Sequence, residues 1–459
     1  MTAKIADAKE AKAFLDAHPQ MQFFEIVYAG LSGVPRGKRL RRHELMPLYE
    51  NGRFLPSSLL VTDITGKDVE ETGLIWEGGD ADRVGRPVPG RLTMAPWLGE
   101  DIAQVQLSVY ETDGGPIDLD PRHVLARVVD RFAADGLTPV VACELEFFLL
   151  DVKRDAAGRV QLARWPVSGA RPSTHDQYSL EEMADAMPFL RELWKACDAL
   201  GVPLEGAISE YAPGQLEITL KHHADALRAA DDAVLYKRAA RGCALRHGCE
   251  ATFMAKPFAE HAGSGMHMHV SVNDADGKNI FASDALDGAP ALKHAVGGMK
   301  TLLADSMAIL APNANSYRRF KANSYAPVAP VWGVNNRTCA FRVPAGAAPT
   351  RHIEHRVAGA DAHPALALAV VLAGVHHGLT QKLDPGPPVA GDGYEAAKSG
   401  DRIPTNWFAA VDRFAESALL KDYLGDRFVS TYATVKRTEQ ERYQSVIADV
   451  DYEWYLRAS

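Results

Sequence analysis

Four short segments of this 459-residue chain alternate strictly between polar and apolar residues. They are Cys-Glu-Leu-Glu-Phe-Phe at 143–148, Gln-Leu-Glu-Ile-Thr-Leu at 215–220, Gly-Met-His-Met-His-Val at 265–270 and His-Ile-Glu-His-Arg-Val at 352–357. Successive side chains of a strand point to opposite faces, so Glu144 with Glu146, Gln215 with Glu217, His267 with His269, and Glu354 with Arg356 share a face. Leu145, Phe147, Leu216, Ile218, Met266, Met268 and Ile353 take the other. A solvated surface strand alternates too, and Glu144 with Glu146 alone would fit that description. Carboxylates and imidazoles recur, however, in all four strands, inside segments otherwise apolar enough to be core. Crowded carboxylates repel unless cations sit among them, so the pattern suggests a metal-filled cleft.

A chain of this length can bury a large core and hold more than one domain. Its apolar fraction of 47% and charged fraction of 24% are those of a globular, enzyme-like protein. A net charge of -9 argues against general nucleic-acid binding and for a small-molecule partner. The charged start, Met1 to Glu10, lacks the apolar core of a secretory signal. The longest apolar run, Ala365 to Val375, is too short to span a bilayer and reads as a buried helix, so no membrane partner is expected. None of the five cysteines forms a Cys-x-x-Cys pair. Buried thiols in a reducing compartment, hence the cytoplasm, are the expectation.

Gln22–Tyr28 and Ala103–Tyr110 read as strands, the Gly/Pro/Arg-rich stretch 30–37 as a turn, and the Gly/Asp/Pro-rich stretch 77–90 as a loop. The turn cluster Thr112 to Pro116 places a domain boundary, giving domains 1–116 and 117–459. Asp120-Pro121 opens a helix, with Asp120 as N-cap and Pro121 at the first helical position. Further helices are expected at 180–201, 225–247, 291–310, 364–379, 407–416 and 426–444. Helices mixed with non-adjacent strands give an α+β fold in which helices close over an active sheet.

These segments resemble the glutamine synthetases of the bacterial class I type and their γ-glutamyl-amine ligase relatives. The resemblance is carried in order by Glu-Leu-Glu-Phe-Phe at 144–148, Gly-Gln-Leu-Glu-Ile at 214–218, Phe-Met-Ala-Lys-Pro at 253–257 and Gly-Ser-Gly-Met-His-Met-His at 263–269. It continues through Asn-Ser-Tyr-Arg-Arg at 315–319, Asn-Asn-Arg at 335–337 and Ile-Glu-His-Arg at 353–356. It implies an amino-terminal β-grasp domain, a catalytic domain with a curved antiparallel sheet, and a homo-oligomer, a dodecamer of two hexameric rings with active sites between subunits. It also implies two divalent ions, Mg²⁺ or Mn²⁺, one held by Glu146, Glu210 and Glu217 and the other by Glu144, His267 and Glu354. Oxygen ligands with one imidazole suit such hard ions on chemical grounds as well. In the reaction the resemblance implies, ATP phosphorylates the γ-carboxylate of glutamate and an amine displaces phosphate. Arg319, Arg356 and the backbone of Gly263 would hold glutamate, and Arg337 the transferring phosphoryl group. Glu205, His269, Ser271 and Arg342 would lie near the nucleotide.

The chain departs from the ammonia-using pattern where the amine should bind. The flap after Arg319 carries Tyr325 where those members have a glutamate, and Phe54-Leu-Pro-Ser-Ser58 carries Leu55 where they have an aspartate. Loss of both anions removes the attraction for ammonium, whereas a carbon-bearing amine gains roughly 0.8 kcal/mol for each buried methylene. The expected substrate is therefore a primary amine larger than ammonia, such as a polyamine, ethanolamine or an alkylamine. Asp63, Asp80 or Asp82 could meet a second amine charge, and Asp82 could also assist deprotonation from a neighbouring subunit. A familiar arginine is replaced by His352, and the asparagine before Gly-Ser-Gly by Ala262. His222, His223, His376 and His377 lie outside the motifs and read as surface or helix-end residues. The alternatives are a glutamine synthetase that uses ammonia and a catalytically silent structural homologue.

Overall fold

In the computed structural model, which describes residues 4–398, 400 and 402–459, the four alternating segments become adjacent members of one sheet. Strand β1 is Phe23–Ala29, β2 Pro35–Arg41, β3 Arg53–Pro56, β4 Asp82–Met94 and β5 Ile102–Tyr110. These form a five-stranded sheet in the order β2-β1-β5-β4-β3, in which β1 and β5 run parallel and the other pairs antiparallel. The second sheet holds β6 (Thr138–Asp151), β7 (Leu204–Ser209), β8 (Gln215–Leu220), β9 (Cys249–Thr252), β10 (Met266–Asn273), β11 (Trp332–Val334), β12 (Phe341–Val343) and β13 (Ile353–His355). Its order is β11-β12-β13-β10-β6-β8-β7, with β9 paired to the far end of β6. The short β11–β12 pair is parallel, so the sheet is mixed and not wholly antiparallel as expected.

The apolar face of this sheet packs beneath helices 180–200 and 226–246. Leu145, Phe147, Leu216, Ile218, Met266, Met268 and Ile353 are all buried. Phe147 is the focus: its ring stacks on Phe253 at 5.4 Å and meets Tyr236 and Phe189 of the two helices at 6.4 and 6.2 Å. Each such side chain contributes roughly 1.5–3 kcal/mol by leaving water, which fixes the register and so keeps the polar set on the opposite face.

The first sheet is tied to the second domain's helix 226–246 through charge. Arg91, fully buried, donates to Asp232 at 2.7 Å, Gln106 to Asp231 at 2.7 Å, and Arg238 to Glu25. The apolar helix Pro364–Gln381 is buried inside the protein, crossing helix Pro290–Leu303 so closely that a Cβ on Gly298 would sit 2.1 Å from the Gly374 carbonyl. All five cysteines are buried and unpaired.

Several local expectations need correction. The stretch read as a loop at 77–90 contains the start of β4; its prolines are tolerated because the register with β5 shifts between Pro87 and Leu92, a bulge that needs no ladder donor there. Likewise, the second half of the 30–37 turn is the start of β2, a strand at the sheet edge with Lys38, Arg39 and Arg41 exposed. The helix expected at 291–310 breaks into Pro290–Leu303 and Met307–Leu310. At the break, Asp305 accepts from Arg413 at 2.6 Å and Ser417 at 2.7 Å, a pairing that fixes the turn against helix 407–416. Leu55 is buried, its methyl beside that of Leu107 over Gly85, so the side chain that β3 exposes is Phe54, at 59%. His376 is buried as well, hydrogen-bonded to the Tyr423 hydroxyl at 2.7 Å and to Asp135 at 3.1 Å.

Candidate active site

Pairing across β13, β10, β6 and β8 sets the site row by row. His269 is opposite Glu354, His267 opposite Glu144, and Glu146 opposite Glu217. Directly opposed residues project to the same face of a sheet. Glu210, just beyond the end of β7, joins them, so that ligand oxygens of Glu146, Glu210 and Glu217 all lie within 4.8 Å of one another. His267 Nδ1 lies 2.8 Å from Glu144 and 3.7 Å from Glu354. The first expected ligand set is thus brought together, and in the second His267 lies beside both carboxylates. Two other groupings also exist, Glu144 and Glu217 with His267, and Glu144 and Glu354 with His269.

The charges on this face are unevenly compensated. Burial, then the neighbouring Glu146 carboxylate, pushes Glu210 up to about 7. Burial and the charges of Glu144, Glu146 and Glu210 push Glu217 well above the usual carboxylate range. Burial also disfavours the Glu144 anion, but the imidazoles of His267 and His269 outweigh it and hold Glu144 well below its ordinary value. Glu354 is driven to about 2 against burial by Arg356, the two histidines and Arg342. Gln215 Oε1 is buried without a hydrogen-bond partner among the described residues. Five clustered carboxylates, two of them held back from ionising, beside an orphaned amide oxygen, fit hard divalent cations such as Mg²⁺ or Mn²⁺.

The glycines and arginines form the floor. Gly265 N–H donates to Glu146 Oε2 at 2.6 Å, and Gln215 Nε2 donates to the Gly263 carbonyl at 3.1 Å. Arg319, buried, donates to the Val357 carbonyl at 3.1 Å and lies against both glycines. A Cβ on Gly263 would sit 2.5 Å from Arg319 Cγ, and one on Gly265 3.0 Å from its Nη2. Glycine is required there by the arginine's approach. Arg356 and Arg342 both donate to Glu354, the latter at 2.8 Å, and Arg342 also reaches Asn335 at 3.0 Å. The Asn-Ser-Tyr motif is braced by Asp361, which accepts from Asn313 at 2.8 Å and Ser316 at 2.6 Å, a role sequence reasoning missed because Asp361 lies 45 residues from Ser316.

The remaining expected residues sit around this floor without joining it. Arg337 is exposed and makes no hydrogen bond or ion pair among the described residues, as does Glu205. Ser271 is on β10, half-buried, opposite Val140. Tyr325 is 59% exposed on the 321–325 segment, at a positive φ of 55°. Of the three acids considered for a distant amine, Asp63 is buried and paired with Arg442 at 2.6 Å, and Asp80 caps Ser58 N–H at 2.7 Å. Asp82 alone is exposed with an unengaged carboxylate. A separate cavity of about 670 Å³, lined by Ser32, Asp63, Lys237, Arg241, Trp407 and Arg442 among others, includes none of the clustered residues. Its carboxylates already have partners, so the chemistry belongs at the sheet face.

The model of the glutamine synthetase catalytic domain matches residues 118–455. The chain belongs to the glutamine synthetase family. Within that family it is 40% identical over 452 residues to the γ-glutamylputrescine synthetase PuuA of Escherichia coli, covering 98% of this chain and 95% of that protein. It is 30% identical to a glutamate–isopropylamine ligase of a Pseudomonas species, covering 97% of both. A γ-glutamylethanolamide synthetase of Streptomyces coelicolor is 32% identical, over 95% of this chain and 91% of that one. Among solved structures, ligand-free GmaS superposes with a TM-score of 0.83 at 27% identity, covering 97% of this chain and 99% of that one. The α+β fold, with a curled amino-terminal five-stranded sheet and a large mixed catalytic sheet, is that of the glutamine synthetases.

Proposed function

We propose that this protein is an ATP-dependent ligase joining the γ-carboxylate of glutamate to a primary amine larger than ammonia. The observation that carries the reading is the flap, where Tyr325 stands in place of the acid that ammonia-using members carry. Three relatives named for putrescine, isopropylamine and ethanolamine products or substrates support it. Ammonium gives up strong hydration on entering a site and needs an anion in return; an alkylamine recovers part of that cost by burying its methylenes.

Glutamate would lie over Gly263, its carboxylates met by Arg319 and Arg356, whose forked donors match a carboxylate. A γ-carboxylate oxygen attacks the terminal phosphorus of ATP and ADP leaves. The amine nitrogen then attacks the acyl carbon, phosphate departs, and the nitrogen gives up a proton. Arg337, exposed and unpaired, is free to turn onto the transferring phosphoryl group. Glu205, His269, Ser271 and Arg342 would line the nucleotide end. Glu146, Glu210 and Glu217 would hold one divalent cation and Glu144, His267 and Glu354 a second; bound there, the ions would neutralise charge developing on phosphoryl and carboxylate oxygens. Asp82, from a neighbouring subunit of a ring-shaped homo-oligomer, would meet the amine or its distal charge.

Incubation of purified protein with glutamate, ATP, Mg²⁺ and a primary amine tests this. The reading requires a γ-glutamylamide by mass spectrometry, with one phosphate released per amide and none formed by the Glu217→Ala variant. ATP hydrolysis with no amide from any amine would reject it.

A further inference from the structure

Three histidines that the ligand sets above leave over converge at one end of the site. His222 follows β8, His269 lies on β10 and His352 immediately precedes β13. One ring nitrogen from each lies within 4.8 Å of the others. The rings meet at 5.2 Å for His269 with His352, and at 5.8 Å for His222 with each of these. The sequence pattern does not announce this, because two intervening chain excursions separate the three and His222 lies outside the alternating segments that hold His269 and His352.

The hydrogen bonds orient two of the rings. His352 Nδ1 lies 2.8 Å from the Thr350 carbonyl and must donate to it, which leaves the lone pair on Nε2. That nitrogen faces His269 Nδ1 at 3.1 Å, while His269 Nε2 points the other way, 3.5 Å from a Glu144 oxygen. His352 therefore turns Nδ1 to a carbonyl acceptor behind it and Nε2 toward the shared space, where it hydrogen-bonds to His269 Nδ1. This is the arrangement that fixes the tautomer and raises the basicity of metal-bound histidines. Two nitrogens bound at about 2.0–2.1 Å to a tetrahedral ion are roughly 3.3 Å apart, close to the observed separation. His222 makes no side-chain hydrogen bond among the described residues.

The surrounding charge permits a cation. The guanidinium of Arg342 faces His269 and His352, and the carboxylates of Glu144, Glu354 and Glu205 oppose it.

We propose that His222, His269 and His352 form a binding site for a borderline transition-metal ion of the Zn²⁺, Co²⁺ and Ni²⁺ class. Imidazole donors select such ions, whereas the carboxylate cluster beside them selects hard ions. The two classes of cation are thereby sorted along one cleft. Metal binding here does not depend on the ligase reading.

Co²⁺ titration of the full-length protein in saturating Mg²⁺, followed by visible absorption, tests the site. One equivalent should bind per chain and produce the intense bands of four-coordinate Co²⁺, which oxygen-ligated six-coordinate Co²⁺ lacks. His222→Ala should weaken that binding at least tenfold and His352→Arg should abolish it, with thermal unfolding of the cobalt-free variants showing both folded. Glu217→Ala should leave the bands unchanged. Absence of the bands in the wild type would overturn the proposal. So would their survival at full affinity in both histidine variants, or their loss in Glu217→Ala with retention in His222→Ala.

Discussion

Glu146 and Glu217 face each other in directly opposed positions of adjacent antiparallel strands, with Glu210 completing a carboxylate triangle. Like charges so placed repel. Burial and that repulsion leave Glu210 at about 7 and Glu217 higher than its ordinary range, so the metal-free cluster holds protons that a divalent cation must expel. Mn²⁺ binding should therefore release protons near neutral pH and weaken as the pH falls below about 7. Isothermal titration in two buffers of different ionisation enthalpy measures the release; a heat independent of buffer would contradict it.

Stability without metal should show the complementary sign. Between about 4.5 and about 7 the folded chain holds the Glu210 proton more tightly than the unfolded chain does. Folding is therefore penalised progressively as pH rises through that window, and the penalty stays in place above it. In chelator at pH 8, Glu210→Gln should stabilise the protein by on the order of 1 kcal/mol, discounted for partial exposure. Denaturant melts with and without Mn²⁺ check this, and the variant should lose its advantage when the cation is present.

Glu354 is buried between two guanidinium groups, Arg342 and Arg356. Removing its charge leaves both without compensation. Glu354→Ala should cost about 3–5 kcal/mol, the usual range for breaking a buried ion pair, and should abolish turnover. Glu354→Gln keeps the shape and should lose turnover with a smaller shift in the urea midpoint.

Gly263→Ala places a methyl 2.5 Å from Arg319 Cγ and 2.7 Å from the Ala255 carbonyl. Overpacking of this kind costs about 1–3 kcal/mol, and the arginine must move to accommodate it. Steady-state kinetics should show KM for glutamate raised about tenfold or more, with KM for the amine changed far less.

Arg337 is exposed and unpaired, so Arg337→Ala should leave the melting temperature unchanged. Activity should fall by roughly 10³-fold, in line with loss of an arginine that stabilises a transferring phosphoryl group. Loss of stability, or activity within a few fold of wild type, would remove Arg337 from the mechanism.

The catalytic sheet was legible in the sequence because its two faces differ so strongly. Even β13, three residues long, announces itself through Ile353 between His352 and Glu354. Strand β4 was hidden because Pro87, Pro89 and Gly90 carry loop chemistry and only the bulge makes them tolerable. Strand β3 was not legible: its four residues carry no periodicity of their own, and which of Phe54 and Leu55 faces the core depends on pairing with β4, a contact distant in sequence. The convergence of His222, His269 and His352 depends in the same way on strand order, which local pattern does not contain. That Asp63 and Asp80 are already engaged was hidden for another reason: whether a carboxylate is free depends on its partner, and Arg442 lies 379 residues from Asp63.

Substrate choice carries the account. The decisive measurement is kcat/KM for phosphate release across a panel of putrescine, spermidine, ethanolamine, isopropylamine and ammonia, at fixed glutamate, ATP and Mg²⁺. At least one organic amine should exceed ammonia by tenfold or more, as expected if each buried methylene adds roughly 0.8 kcal/mol and no anion favours ammonium. Ammonia outperforming every organic amine would contradict it.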